Sequence, residues 1–516
     1  MSDGSATTAP ANSVGRLAIV LHTHMPYVEG FGTWPFGEEW LWRAVAESYL
    51  RVADAVAGKS VTVGVTPVLA DQFEAMTGDA GDRMLGFFND SREYVFGEDM
   101  RSFYEVGKGE LTESLRPQLE DYRSASGRFT GELDRDLVAL FDRLGASGVE
   151  LLGGAATHAV MPLIATDFGA DLQLVVGRAS HTRRFGESHG IWLPECAYDY
   201  GVDELLARHD VEYFCVDQSS VNGYDSLDNL EPIRTPGGPI AIPIDWRTIE
   251  LVWRDDGYPV ADAYRSSFDR TIHSLTPRNN AGEPWNPESA RAQAHAHAAA
   301  FLRSVAARLE VYEAERGQRG TCVVALDTEL LGHWWYEGPW WLEALIEHAP
   351  SAGIELVTLG ETVAAADPVE RPLGRSSWGE GKTLDTWDSP AVAAMTWQQR
   401  ASELALHDAL VHCGSGRGSP AALRAARELL ALQSSDWAFI DKRATAGDYA
   451  ARRFADHLAS FERAHTRLMD RSVNSVRQSA ASPGEADSES QLAGLAPELD
   501  DDLLQAIVHG FDGSTP

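Results

Sequence analysis

Short apolar runs alternate with helical segments along residues 16–358, and polar motifs repeatedly follow these runs where they end. The first run, Arg16 to Leu21, has the length and continuity typical of a parallel strand that is buried on both faces. At least six such strands are recognisable, and none is followed by a glycine-rich phosphate-binding motif. This alternation, with polar residues at the strand ends, predicts a parallel α/β barrel rather than an open nucleotide-binding sheet.

The places where the alternation is interrupted predict the domain organisation. Residues of about 71–145 are charged and mostly helical in pattern, so we interpret them as a helical insertion in a barrel domain of residues 16–370. Three amphipathic helices within residues 371–475 predict a C-terminal all-helical domain. We expect residues 1–15 to be flexible. We also expect the acidic segment 476–516 to be disordered apart from a short docking helix over its Leu503 to Phe511 part.

Composition restricts the partners that the protein can have. The 516 residues contain 43 Lys and Arg against 77 Asp and Glu, a net charge of −34, which argues against binding to nucleic acid or an anionic membrane. A neutral substrate fits better, although solubility or salt adaptation could explain the acidity by itself. The four Cys form no CxxC pair, and no signal pattern or membrane-length apolar run is present. We therefore expect a cytoplasmic protein with reduced thiols, and a monomer.

Two carboxylates follow predicted strands in aromatic surroundings. Glu195 ends a run that Pro194 should terminate, because proline cannot donate to a sheet ladder. Asp327 directly follows the strand over residues 320–326, and Trp192 and Trp334 lie close to the two acids in sequence. Paired carboxylates between aromatic platforms suit a carbohydrate cleft and glycosidic bond chemistry. From local sequence alone, Glu195 could equally cap the next helix, and any single tryptophan could simply fill a core.

A His-x-His pair ends the first strand. His22 and His24 point to the same side of a strand, where they could bind a metal, hydrogen-bond a polar ligand or form a structural pair. The metal alternative would suit a metal-dependent deacetylase or mannosidase, but it requires a further acidic ligand near the two histidines. A catalytically inactive glucan-binding module is another alternative, and it conflicts with the presence of two acids at strand ends.

With these residues in view, the chain resembles glycoside hydrolase family 57, and most of all its α-1,4-glucan branching enzymes. The resemblance covers residues of about 16–470 and rests on five blocks in the family's order. The blocks are His-Thr-His-Met-Pro at 22–26, Gly-Val-Glu-Leu-Leu-Gly-Gly at 148–154, Trp-Leu-Pro-Glu-Cys-Ala-Tyr at 192–198, Ala-Leu-Asp-Thr-Glu-Leu-Leu-Gly-His-Trp-Trp-Tyr-Glu-Gly at 325–338 and Ser-Ser-Asp-Trp at 434–437. The third and fourth blocks are the specific ones.

The resemblance implies a fold, a mechanism and a set of site residues. The fold is a distorted, TIM-like (β/α)7 barrel with a helical insertion and a C-terminal helical domain that helps to close the cleft. Glu195 would be the nucleophile and Asp327 the general acid/base, with the two carboxyl groups about 5–5.5 Å apart for retention of configuration. Neither a metal nor another cofactor is implied. The expected substrate-binding residues are His22, His24, His158, Trp192, Tyr224, Trp253, His333, Trp334, Trp378, Trp387 and Asp436.

The implied activity is transfer of a glucan chain. A retaining branching enzyme cleaves an α-1,4 bond in glycogen, amylose or a related polysaccharide, and passes the chain to a 6-hydroxyl group. An α-amylase-like hydrolase and a 4-α-glucanotransferase of the same family are the alternatives. The loop of residues 218–243, with Tyr224 as its one tyrosine, is shorter than in the well-studied branching enzymes of the family. Because such lids exclude water, we expect measurable hydrolysis.

Overall fold

A computed structural model describes residues 13–412, 419–473, 492 and 494–510. The strands in these ranges are β1 (Gly15–Thr23), β2 (Thr62–Val65), β3 (Glu150–Leu152), β4 (Gly190–Ile191), β5 (Tyr213–Val216), β6 (Ile233–Arg234), β7 (Ile240–Pro243), β8 (Thr321–Asp327) and β9 (Ile354–Leu356). Of the segment 1–15 that we expect to be flexible, residues 1–12 lie outside the described residues, whereas Ser13 is buried and Gly15 begins β1. Residues 413–418 also lie outside the described residues.

Seven parallel strands follow one another around a distorted barrel. One sheet has the order β3-β2-β1-β8, with β9 also paired to β1, and the other has the order β4-β5-β7 with β6 antiparallel on β7. A parallel bridge between Gly153 and Ile191 connects the sheets on one side. On the other side the amide of Asp245, just beyond β7, donates to the carbonyl of Val323 in β8 at 2.8 Å. The predicted (β/α)7 barrel is confirmed.

The register of the parallel strands brings their carboxyl ends to one edge. His22 on β1 lies opposite Asp327 on β8 and Gly64 on β2. Strand β4 ends at Ile191, before the predicted stop at Pro194, and Pro194 instead begins a single 3-10 turn over Pro194–Cys196. Glu195 therefore lies in a turn beyond the strand end, at the face of the barrel where strand-end residues meet.

Helices cover the barrel, and a group of them forms the predicted insertion. In the barrel they are Glu38–Ala44, the π-helix Val45–Tyr49, Leu50–Val56, Pro67–Ala75, Asp167–Phe185, Val202–Arg208, Ser219–Asn222, Trp246–Trp253, Pro287–Arg316, Gly338–His348 and Leu359–Ala364. In the insertion they are Asp79–Gly86, the π-helix Phe87–Arg92, Glu93–Glu105, Gly109–Gly127, the π-helix Arg128–Glu132 and Val138–Ala146. Further 3-10 turns are Met161–Leu163, Leu227–Leu230, Tyr258–Val260, Thr328–Leu330, Pro350–Ala352, Glu380–Lys382 and Leu384–Thr386.

One apolar run in the barrel has a different structure from the strand that its composition suggests. Residues 249–253, Ile-Glu-Leu-Val-Trp, belong to the helix Trp246–Trp253. The helix buries Ile249 and Val252, which are three positions apart and so lie on one helical face. The periodicity of so short an apolar run cannot by itself distinguish a strand from a buried helix segment.

The C-terminal part packs as a helical bundle around a core that it shares with barrel residues such as Tyr27 and Phe168. Its helices are Ala393–His412, Pro420–Leu432, Ser435–Arg443 and Tyr449–Val473, so the short Ser435–Arg443 helix adds to the three predicted ones. Its core is a second hydrophobic cluster that includes Leu429, Trp437 and Phe461. Among the described residues, no helix is long and apolar enough to cross a membrane.

Part of the acidic tail is ordered against this bundle. A helix spans Asp501–Val508, close to the predicted docking helix, and the Asp500 side chain caps it by accepting from the amide of Leu503. The buried side chains of the segment are Leu492, Leu495, Leu499, Leu504 and Ile507. Disorder across the whole of 476–516 is therefore wrong for residues 494–510, because their spaced leucines bury an apolar face. The rest of that segment lies outside the described residues.

Candidate active site

Glu195 is presented by a strained turn. Its backbone is left-handed, with φ 61° and ψ 16°, and His158 shares this conformation at φ 60°. Non-glycine residues rarely adopt it, and they do so mostly where the surrounding structure enforces it at functional sites. The indole Nε1 of Trp378 donates to Glu195 Oε2 at 2.8 Å, and the Trp378 amide donates to the Glu195 carbonyl at 2.9 Å. The turn and the Trp378 loop thus orient one oxygen of this buried carboxyl group.

Asp327 is the last residue of β8 and, like Glu195, is in surroundings that favour a proton. Burial raises the pKa of Asp327 to about 6, although the nearby His24 opposes the shift. Burial also raises the pKa of Glu195 to about 7; hydrogen bonds from Trp378 and Ser435 oppose the shift, and the charges of Asp436 and Asp327 add to it. Between these two values the pair retains one proton, which is what a carboxylate with a neighbouring general acid requires.

Three imidazole rings stack beside the acids. The His158 ring lies 4.2 Å from that of His24 and 4.7 Å from that of His22, which in turn stacks on Trp192 at 4.6 Å. Burial lowers the pKa of His22 and of His158 well below the usual value, so both rings are neutral at pH 7. Within the described structure, both ring nitrogens of His22, Nε2 of His158 and Nε1 of Trp192 have no hydrogen-bond partner. Buried polar atoms without partners are what the hydroxyl groups of a sugar would satisfy.

The helical domain supplies the partner of the third ring. His24 Nε2 lies 3.0 Å from Asp436 Oδ2, and its Nδ1 lies 3.1 Å from Thr66 Oγ1. Burial lowers the pKa of His24, but the Asp436, Glu329 and Glu195 carboxylates raise it more. Burial raises the pKa of Asp436, but His24 and its hydrogen bond lower it more. His24 and Asp436 therefore form a buried ion pair between the barrel and the helical domain.

The predicted tryptophans differ in burial: Trp192 and Trp387 are buried, Trp378 is half-buried, and Trp334 and Trp253 are exposed. Trp378 contacts the ring of Trp192 at 5.0 Å. Trp334 and Trp253 are 51% and 36% exposed, and their rings meet edge to face at 6.4 Å. Trp387 is 2% exposed in the helical-domain core, where it packs beneath Gly379 of the Trp378 loop. The ring of Trp387 is covered in this conformation, and its place among the substrate-binding residues stays a prediction.

Two further predicted residues lie outside the group of rings and acids described above. The His333 Nδ1 contacts Glu47 Oε2 at 2.5 Å, and Glu47 is paired in turn with Arg43. Arg43 and His333 hold the pKa of Glu47 well below its usual range despite its burial. Tyr224 is 42% exposed and follows the short helix Ser219–Asn222. His333 thus belongs to a neighbouring ionic cluster, and a role for Tyr224 in substrate binding stays a prediction.

Comparison with known proteins agrees with this geometry. The model of glycosyl hydrolase family 57 matches residues 18–372, and the model of the 1,4-alpha-glucan branching enzyme C-terminal region matches residues 405–483. The chain belongs to glycosyl hydrolase family 57.

Relatives in family 57 are similar over nearly the whole chain. The probable 1,4-alpha-glucan branching enzyme Rv3031 of Mycobacterium tuberculosis is 32% identical over 497 residues, covering 86% of this chain and 90% of that protein. The 1,4-alpha-glucan branching enzyme TK1436 of Thermococcus kodakarensis is 29% identical over 516 residues, covering 88% and 74%. The solved structure of a branching enzyme of this family from Pyrococcus horikoshii superposes with a TM-score of 0.86 at 27% identity, covering 95% and 97%.

Beside Glu195, Asp327 and Asp436, this member of family 57 has a fourth carboxyl group in the site, Glu329, which the sequence reasoning missed. Glu329 Oε1 accepts hydrogen bonds from the Tyr49 hydroxyl at 2.5 Å and from the His24 amide at 3.1 Å. Burial raises the pKa of Glu329 to about 8, which the Tyr49 bond opposes and the Asp327 charge increases. Its position two residues after Asp327 was the available signal. Ser435 was also missed, although its hydroxyl lies 2.9 Å from His158 Nδ1.

A metal centre at this site would need several ligating side chains close together. In the ranges that the structure describes, no group of three or more His, Cys, Asp or Glu side chains is arranged to hold a metal ion. His24 has Thr66 and Asp436 as its ring partners, and His22 has none among the described side chains. That no metal takes part in the reaction stays a prediction.

Proposed function

We propose that this chain is a retaining 1,4-α-glucan branching enzyme. The observation that carries the proposal is a pair of carboxyl groups at one end of the barrel, with the buried Glu195 oriented by Trp378 and the half-buried Asp327 at the end of β8. Neutral stacked imidazoles with unpaired nitrogens surround them, as a polyhydroxylated substrate requires. Membership of family 57, together with the match to the branching-enzyme C-terminal region, supports this reaction.

The first half of the reaction cleaves the donor chain. Asp327 transfers its proton to the glycosidic oxygen while a Glu195 oxygen attacks the anomeric carbon, so that the carbon–oxygen bond breaks and a glycosyl ester forms. The released fragment leaves with the proton as a hydroxyl group. Retention of configuration requires the two carboxyl groups to be about 5–5.5 Å apart, and this separation stays a prediction.

The location of the shared proton determines how much of the enzyme is reactive. Burial raises the pKa of both Glu195 and Asp327, to about 7 and about 6, so the two carboxyl groups share one proton between these values. The reaction needs Glu195 charged and Asp327 protonated. Hydrogen bonds to Glu195 from Trp378 and Ser435 favour the charged form. We therefore expect that these donors, together with the bound sugar, move the proton to Asp327.

The second half transfers the chain. Asp327 removes the proton of an acceptor 6-hydroxyl group, whose oxygen attacks the anomeric carbon and displaces Glu195. Water, at about 55 M, competes unless the acceptor is oriented, and well-oriented groups reach effective molarities of about 10⁵–10⁸ M. The exposed Trp334 and Trp253 rings offer faces on which an incoming glucan could stack. The helical domain contacts the site through the bond of Asp436 to His24, and we expect its presence there to limit the access of water to the acids.

The remaining features of the proposal concern the setting in which the enzyme works. The substrate is an α-1,4-glucan such as glycogen or amylose, and we propose a monomer that works in the cytoplasm. The free and buried thiols of Cys196, Cys215 and Cys322 support a reducing compartment.

Linkage analysis on amylose tests the activity. A branching enzyme accumulates α-1,6 linkages with few new reducing ends, whereas a hydrolase yields reducing ends without branches. A 4-α-glucanotransferase redistributes α-1,4 chain lengths and does neither. The short 218–243 segment, in which Tyr224 is exposed, favours some hydrolysis beside transfer, so both products should appear. Formation of reducing ends without α-1,6 linkages would contradict the proposal and show that the protein is an α-glucan hydrolase. The Glu195→Gln variant is the inactive control.

A further inference from the structure

The hydrogen bond from Trp378 to Glu195 depends on where one loop lies. Residues 374–382 cross the carboxyl ends of the strands, and Ser376 exchanges two backbone hydrogen bonds with Tyr198, at 2.9 and 3.0 Å. Two positions later, the Trp378 amide donates to the Glu195 carbonyl at 2.9 Å. The loop closes on itself where the Ser377 amide donates to the Lys382 carbonyl at 3.2 Å. A shift of this loop would therefore move the indole away from the nucleophile.

A buried lysine holds the end of this loop. Lys382 is 6% exposed and has a left-handed backbone with φ 60°. Its Nζ lies 2.9 Å from Asp217 Oδ2 and 2.8 Å from the centre of the Trp246 ring. Asp217 is fully buried just beyond β5, and its other oxygen accepts from the Ser219 amide and hydroxyl at 2.9 and 2.5 Å. Burying a lysine and holding its backbone in a left-handed conformation both cost free energy, so this arrangement indicates a structural or functional role for Lys382.

The same strand end also holds the beginning of the loop. Gln218, next to Asp217, donates from Nε2 to the Gly374 carbonyl at 2.8 Å and to Ser376 Oγ at 2.7 Å. The Gly374 amide donates back to Gln218 Oε1 at 2.9 Å. Two consecutive residues after β5 therefore fix both ends of the segment that carries Trp378.

We propose that Lys382 is a positioning residue for the nucleophile, because its buried ion pair with Asp217 holds the loop that places the Trp378 N–H on Glu195. This role rests on the proposed function to the extent that Glu195 must act as a carboxylate nucleophile. Removing the ammonium group would leave Asp217 buried without a counter-charge and would free the loop end. The Trp378 bond to Glu195 would weaken, the pKa of Glu195 would rise, and a smaller fraction of the enzyme would hold Glu195 as the carboxylate.

A double-mutant cycle between Lys382 and Trp378 tests the proposal. The assay is kcat/KM against pH on an aryl α-maltooligoside, whose good leaving group makes the rate depend on the nucleophile. Lys382→Met and Trp378→Phe should each lower kcat/KM by about tenfold or more and move the pH profile to higher pH, since hydrogen bonds to charged groups are the stronger ones. The double variant should lose no more than about twofold beyond Trp378→Phe, because both changes remove one interaction.

Arg308→Met is the matched control. Arg308 forms a buried ion pair with Asp245, at 2.7 Å, near the same end of the barrel but with no part in the Trp378 loop. Arg308→Met should leave the pH profile unchanged. Any loss of kcat/KM that it causes should multiply with the loss caused by Trp378→Phe, because the two changes are independent. If Lys382→Met keeps the wild-type profile, or if its loss multiplies fully with that of Trp378→Phe, the positioning role is refuted.

A second variant keeps the test possible if Lys382→Met does not fold. If Lys382→Met is insoluble, Lys382→Met combined with Asp217→Asn removes both charges and avoids the unpaired carboxylate. It should fold and keep the shifted profile; a folded double variant with a wild-type profile overturns the proposal. The assay needs no acceptor sugar. Absence of α-1,6 linkages in the wild type would therefore refute the branching function and leave this inference standing.

Discussion

The barrel and the helical domain contribute to the same site by different means. Glu195 and Asp327 lie at or beyond the carboxyl ends of parallel strands, and the sheet register sets their places. Asp436 and Ser435 reach the site through side-chain contacts with His24 and His158. The barrel contribution thus follows from chain topology. The contribution of the helical domain depends on docking, and it should be the easier one to disrupt without loss of the fold.

Two tryptophans in one loop show the same contrast on a smaller scale. Trp378 and Trp387 are nine positions apart, and both follow the barrel in sequence. The first bonds to Glu195 from the barrel side, and the second is buried in the helical-domain core. Two residues that are close in a loop can therefore differ in function, because each can pack against a different domain.

Removing the nucleophile should have the largest effect. We expect Glu195→Gln to lower both cleavage and transfer by at least about 10⁴-fold, because an amide cannot attack the anomeric carbon as a carboxylate does. Consumption of amylose is the measurement, with thermal unfolding as the control for folding. Near wild-type turnover would remove Glu195 from the mechanism.

Removing the acid should distinguish between substrates. Asp327→Asn should lose about 10²–10⁴-fold on amylose and much less on an aryl glycoside, because a good leaving group needs no proton in the first step. In the wild type, kcat/KM on amylose should be bell-shaped with limbs near the pKa values of the pair, about 6 and about 7. Equal losses on both substrates, with the first step limiting both, would assign the acid role to another residue.

Breaking the ion pair between Asp436 and His24 tests how much the docked helical domain contributes to the site. Asp436→Asn should reduce the free energy of unfolding by about 3 kcal/mol, because it leaves His24 without its buried counter-charge. The raised pKa of His24 stabilises the fold fully below the unfolded value of 6.5, and this is lost as pH rises through the folded pKa. The lowered pKa of Asp436 stabilises it above the unfolded value of 3.8, and this is lost as pH falls through the folded pKa.

The difference in unfolding free energy between wild type and Asp436→Asn should therefore be largest between pH 3.8 and pH 6.5, the pKa values of Asp436 and His24 in the unfolded chain. Urea unfolding at several pH values measures it. Asp408→Asn, an exposed change in the same domain beside His412, is the control and should cost within about 0.5 kcal/mol. A pH-independent difference would show that the pair is not charged in the folded protein.

The smallest effects should separate the exposed aromatic residues from the buried one. Trp253→Ala should change stability by no more than about 0.5 kcal/mol, since the ring is exposed, while lowering the ratio of α-1,6 linkages to reducing ends. Trp387→Phe keeps the core filled and should leave that ratio unchanged, at a cost of about 1–2 kcal/mol in unfolding free energy. A lowered ratio in Trp387→Phe would return that residue to the substrate-binding set.

The sequence by itself determined the barrel and the two acids. Continuous apolar strands alternating with helices can bury both faces of a sheet only in a parallel arrangement, and parallel strands bring their end residues to one edge. For this reason His22, Glu195 and Asp327 could be placed together before any coordinates were known. The sequence also indicated a short helix over Leu503 to Phe511 in the tail, and the structure has it at Asp501–Val508, capped by Asp500.

Only the tertiary structure decided which side chains of distant segments, including those of the two domains, contact one another. Glu329 is an active-site carboxyl group because Tyr49 and the His24 amide face it, and Trp387 is a core residue because the helical domain packs over it. The pairings of Asp436 with His24 and of Lys382 with Asp217 span 412 and 165 positions of the chain. Burial and charge pairing over such separations depend on what lies across an interface, and no local pattern of residues specifies that.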